Sequence, residues 1–120
     1  MKIAALVDDM FFASKISATA RQTGCELVFC RNTESVPPDT NRILVDLNST
    51  TFDPVREIQK LKARGGAAGA PIIAYLSHVQ VELQQMAQQA GADEVISRSA
   101  FVQRLPEILG SQEPEGRSQE

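Results

Sequence analysis

Arg42-Ile43-Leu44-Val45-Asp46-Leu47-Asn48 is a short aliphatic and β-branched run that ends on acid and amide. It reads as a buried strand that delivers Asp46 to its mouth. A second run, Ile3-Ala4-Ala5-Leu6-Val7, also stops on acids, Asp8 and Asp9. If the two are parallel neighbours, their carboxyl ends bring three carboxylates together, where open α/β sheets place their sites.

The remaining elements follow from periodicity. Strand one spans Lys2 to Val7, and Phe12, Ala13, Ile16 and Ala20 share one face of the following helix, with Gly24 as its stop. Strand two is Glu26 to Cys30; Arg31 to Asn41 carries Pro37-Pro38 and has room for one helical turn at most. An α/β unit ordinarily holds a helix there, so this connection is abbreviated. After strand three, Asp53-Pro54 opens a helix with a cap and a first-position proline, and Val55, Ile58 and Leu61 are its buried stripe.

Arg64-Gly65-Gly66-Ala67-Ala68-Gly69-Ala70 is a linker; it lacks the Lys-Ser/Thr ending of a phosphate-binding loop. Strand four is Ile72 to Leu76, and Leu83, Met86, Ala87 and Ala90 face the core from the next helix, with Met86 as core filling. Strand five is Glu94 to Ser97. Phe101, Leu105 and Ile108 line a last helix that Pro106 makes short or kinked, starting near Arg104 if unbent. Five strands alternating with four helices give a parallel sheet of order 2-1-3-4-5 in one domain over residues 1–109, and 110–120 has the composition of a disordered tail.

Composition narrows the function classes. With 120 residues, 42% hydrophobic, the chain can bury one core. The run after Met1-Lys2 is cut by two aspartates, so neither a signal peptide nor a membrane span is expected and a cytoplasmic location is the default. A net charge of −3, a pI near 5.2 and no basic cluster argue against nucleic acid and anionic membranes as partners. Cys25 and Cys30 would point to opposite faces roughly 16 Å apart along a strand, which excludes a disulfide, and with one histidine no zinc pattern exists.

Leu6-Val7-Asp8-Asp9, Val45-Asp46-Leu47-Asn48, Pro71-Ile72-Ile73 and Ala90-Gly91-Ala92 occur in an order and spacing that resembles the receiver domain of bacterial response regulators, from Lys2 to about Leu109. The resemblance implies a flavodoxin-like, three-layer fold with the second helix shortened or absent. It implies Asp46 as the phospho-acceptor beside a Mg²⁺ ion. Asp9 and Asp46 would be direct ligands, Asp8 a ligand through water, and Asn48 a ligand through its main-chain carbonyl; such a hard cation takes oxygen ligands and keeps several waters.

The chain departs from that family at the residues that read the phosphoryl group. The strand-four hydroxyl position falls on Leu76, and Ser77 could substitute only through a strand irregularity. The lysine position falls on Arg98, whose planar fork would hold Asp46 ionised yet blocked if it reached it. The following proline falls on Ser99, where a cis bond would cost roughly 3 kcal/mol, so a trans bond and another path for the loop are expected. The aromatic switch position falls on Val95; Tyr75 packs a helix, and His78 is a donor or gate, or is solvated.

These departures suggest a divergent, pseudo-receiver-like member, not an enzyme, standing alone as a monomer or weak homodimer. It would act on other signalling proteins through Met10, Phe11 and the face of strand five and the last helix. The alternative is a conventional response regulator, phosphorylated on Asp46 by a histidine kinase or phosphotransfer protein in a phosphorelay. A flavodoxin-like hydrolase or nucleotide binder ranks last, because no nucleophile with an adjacent base and no glycine-rich strand-to-helix loop is present.

Overall fold

The computed structural model describes residues 1–64, 69–77 and 80–110. Five parallel strands, β1 (Lys2–Leu6), β2 (Glu26–Phe29), β3 (Arg42–Asp46), β4 (Ile72–Leu76) and β5 (Glu94–Ser97), form one sheet in the order β2-β1-β3-β4-β5. Helices α1 (Met10–Thr23), α2 (Pro54–Arg64), α3 (Val81–Ala90) and α4 (Arg98–Gly110) connect and cover it. This is the three-layer α/β architecture that the alternation of apolar runs predicts.

Side chains alternate across the pleat, so each strand feeds both faces. Ile3, Ala5, Leu44, Ile73 and Tyr75 pack under Phe12, Ile16 and Ala20 of α1 and Phe101, Leu105 and Ile108 of α4. Ala4, Leu6, Ile43, Val45, Ala74 and Leu76 pack under Ile58, Leu61 and Ala87 of α2 and α3. Cys25 joins the first cluster and Cys30 the second, so the two free thiols do lie on opposite faces.

The sheet's central position follows from register. Ala5 pairs with Leu44 and Leu6 with Val45, while Asp46 pairs with Tyr75 across β3 and β4. Asp46 therefore ends the middle strand, flanked by the Val7-Asp8-Asp9 exit of β1 on one side and by β4 on the other. Gly24 stops α1 in the left-handed region at φ 79°, where a side chain would be strained, and its N–H bonds the Ala20 carbonyl. Asp53 caps α2 by accepting from the Arg56 N–H at 3.2 Å.

The β2–β3 connection holds only a 3-10 turn, Thr33–Ser35. Glu57 of α2 anchors it from within the protein: its Oε1 accepts from the Thr33 N–H and the Thr33 hydroxyl, both at 2.7 Å. Arg64 donates to the Thr33 and Val36 carbonyls. One turn and two long side chains thus stand where a helix would.

Two expectations need correction. The last helix is not short and does not begin near Arg104: it runs 13 residues from Arg98, with Pro106 in its interior. Ser97 makes this possible by ending β5 and capping α4 at once, its Oγ accepting from the Ala100 N–H at 3.1 Å. Met86 is not core filling but 48% exposed, because Ala87, fully buried, points at the sheet and leaves Met86 on the rim. Strand three ends at Asp46, as expected, and Leu47 begins the loop. Of the tail expected at 110–120, Gly110 instead ends α4, and 111–120, like His78, lie outside the described residues.

Candidate functional site

Asp46 is 3% exposed at the mouth of β3, and its Oδ1 accepts from the Asn48 N–H at 2.9 Å. Burial pushes its carboxyl above the usual carboxylate value; the Asn48 N–H and Arg98 oppose that shift, and Asp8 and Asp9 add to it. The three acids are thus electrostatically one cluster, as the parallel pairing of β1 and β3 requires.

Asp8 and Asp9 are held apart in function. Asp8 Oδ2 accepts from the Ser49 hydroxyl at 2.7 Å and from the Thr51 hydroxyl. Those bonds, Thr51 first, draw its carboxyl below the usual value. Asp9 is the cap of α1, its Oδ1 accepting from the Phe11 and Phe12 N–H groups at 2.9 and 3.1 Å. Its Oδ2 stands 3.9 Å from Arg98 Nη2. Ser49 and Thr51 did not emerge from sequence reading, although a hydroxyl run directly after Asn48 was the available signal.

Arg98 occupies the site from the first position of α4. Its guanidinium carbon lies 4.9 Å from the centroid of the Phe12 ring, and it makes no ion pair within 4.0 Å of Asp46. The bidentate grip on Asp46 considered from sequence is therefore not made, because α4 starts at Arg98 itself and aims the side chain across Phe12 toward Asp9. No cis peptide occurs among the described residues, as expected at Ser99.

The strand-four positions divide. Leu76 is buried on the α2 and α3 face, whereas Ser77 is exposed beyond the strand end, where its N–H donates to Asn48 Oδ1 at 2.6 Å. Asn48 Nδ2 in turn donates to Gln80 Oε1 at 2.8 Å, so the asparagine side chain ties the β3 and β4 loops together. Val95 is half-buried against the α2 and α3 face.

Tyr75 does pack helices, but it does more. It is fully buried, with its ring 4.4 Å from Phe101 and 4.9 Å from Phe12, and its hydroxyl has no hydrogen-bond partner among the described residues. After burial, Asp46 is the largest influence raising its hydroxyl's proton affinity. The Asp46–Tyr75 cross-strand pairing puts that hydroxyl on the same face as the acid.

Among the described residues, no group of three or more His, Cys, Asp or Glu side chains is placed so as to hold a metal ion. In the magnesium set implied by the resemblance, Asp8, Asp9, Asp46 and Asn48, each of the three acids already has at least one oxygen engaged. Asp8 is taken by two hydroxyls, Asp9 by the α1 cap and Arg98, and Asp46 by the Asn48 N–H. As arranged, these residues do not fit the ion.

No protein-family model matches the chain, and no curated protein matches it in sequence. Solved structures do match. A response regulator from Hahella chejuensis superposes with a TM-score of 0.78 at 18% identity, over 90% of this chain and 91% of that one. The fold is that of a response regulator receiver domain. A receiver domain from Rhodospirillum rubrum gives 0.73 at 16% identity, covering 90% of both chains. The receiver domain of a sensor histidine kinase from Pseudomonas aeruginosa PAO1, which holds a magnesium ion in its active-site cleft, gives 0.72 at 21% identity, over 92% of this chain and 98% of that one. At such identities the receiver likeness speaks for the fold. No helix among the described residues is long and apolar enough to cross a membrane.

Proposed function

We propose that the chain is a divergent receiver-like signalling module that acts by contacting other proteins, with Asp46 kept as a potential phospho-acceptor and the phosphate-reading set replaced. The observation that carries this reading is the fate of the reading positions around a retained acid. Leu76 is buried in the core, and Arg98 is spent on Phe12 and Asp9. Neither offers a hydroxyl or a mobile ammonium to a group on Asp46. Contact surface is available: Met10 is 85% exposed and Phe11 75% exposed at the start of α1, beside a cavity of about 460 Å³ lined by Met10, Phe29, Arg31 and Phe52. Magnesium binding is weak in this reading.

A second reading is favoured by one observation, the seating of Asp46 at the mouth of the central strand. There it would take a phosphoryl group from a histidine kinase or phosphotransfer protein. Acetyl phosphate with Mg²⁺ separates the two. An Asp46 oxygen would attack phosphorus, the bond to the acetyl oxygen would break, and acetate would leave. Intact mass that stays unchanged supports the first reading. A gain of one phosphoryl group that Asp46→Asn abolishes overturns the part of the first reading in which phosphorylation is dispensable or absent, and favours the second.

A further inference from the structure

We infer that Arg98 is the resident cation of the acidic cluster, an internal counter-ion that takes the place of a divalent metal and excludes it. The inference rests on the proposed function and deepens it by saying why the site is closed to Mg²⁺.

Placement is the first argument. A positive charge at the first position of a helix opposes the helix dipole, so Arg98 at the head of α4 sits at an unfavourable end. It lies near the head of α1 as well, since it approaches the Asp9 cap. Two helix N-termini would drive a cation outward unless carboxylates held it. The side chain is nonetheless only 38% exposed, lies over Phe12, and has an Nε buried without a partner among the described residues. The acids are what retain it: Asp9 within 4 Å, and Asp46 at longer range.

Exclusion is the second argument. Asp8 Oδ2 is taken by Ser49 and Thr51 and Asp9 Oδ1 by backbone N–H groups, so a metal at either of those oxygens would have to displace neutral donors, and at Asp9 Oδ2 it would compete with Arg98. It would then meet a guanidinium that cannot deprotonate. A unit charge about 5 Å from a divalent ion weakens its binding by about tenfold even at the dielectric of water.

The test uses the full chain. Tyr75 is the single tyrosine and there is no tryptophan, so intrinsic emission reports the floor of this site alone. Mg²⁺ is titrated into wild type, Arg98→Gln and Arg98→Met, the methionine retaining packing on Phe12. Tyr75 emission and calorimetric heat are followed together. Both variants should bind Mg²⁺ about tenfold more tightly than wild type, and adding Asp46→Asn to either should remove the gain. Circular dichroism confirms that each variant is folded. Wild type binding as tightly as a folded variant overturns the inference, as does a gain that survives Asp46→Asn. Either failure leaves the interaction reading to the acetyl phosphate result, so the two can fail separately.

Discussion

Ionising Asp46 works against the fold, whereas ionising Asp8 works for it. Asp46 is raised from 3.8 by burial, so the native chain keeps this proton at pH values where the unfolded chain has lost it. Stability therefore falls as pH rises from 3.8 through the native value. Asp46→Asn should raise the unfolding midpoint at pH 7, and the advantage should vanish near pH 3; equal midpoints at pH 7 would refute the burial argument. Asp8 is lowered from 3.8 by the Thr51 and Ser49 hydroxyls, so its contribution is present above 3.8 and is lost as pH falls through the native value. Thr51→Val should accordingly cost stability at pH 7 and little at pH 2, seen in the same melts. The acids themselves were legible because each closes an apolar run. Their partners were not: nothing in a linear reading says that Thr51 bends back to Asp8, or that Arg98 points along Phe12.

Most elements that sequence periodicity specifies came out as expected, and the start of the last helix did not. Strands β1, β3 and β4 were legible because long apolar runs are bounded by turns or caps, and α1 because its stripe ends in Gly24. The start of α4 was hidden by Pro106, whose cost argued for a late start, while Ser97 supplied a cap that the strand reading had already claimed. The missing helix between β2 and β3 was legible from Pro37-Pro38; its replacement was not, because it depends on Glu57, a charged residue on an otherwise ordinary helix. Glu57 holds the Thr33 N–H and hydroxyl inside the protein. Glu57→Ala should cost about 3 kcal/mol by stranding those donors, measured by urea unfolding. A loss under about 1 kcal/mol would mean that Arg64 alone secures the turn.

At the scale of the molecule, packing and exposure divide along α1. Phe12, Ile16 and Ala20 are buried, whereas Met10 and Phe11 are not, so the helix's first two residues contribute surface and the stripe that starts at Phe12 contributes core. Phe11→Ser should change unfolding free energy by no more than about 0.5 kcal/mol, and a larger loss in urea unfolding would show that the residue belongs to the fold and not to a contact face. Near that surface, β5 passes into α4 through Ser97 with no intervening loop, and Arg98 follows within 4 Å of Asp9 at the head of α1. A corner without slack cannot swing: to tilt α4, a binding partner must drag the edge strand with it, so that the outer rim of the sheet and its covering helix answer a push as one rigid lever.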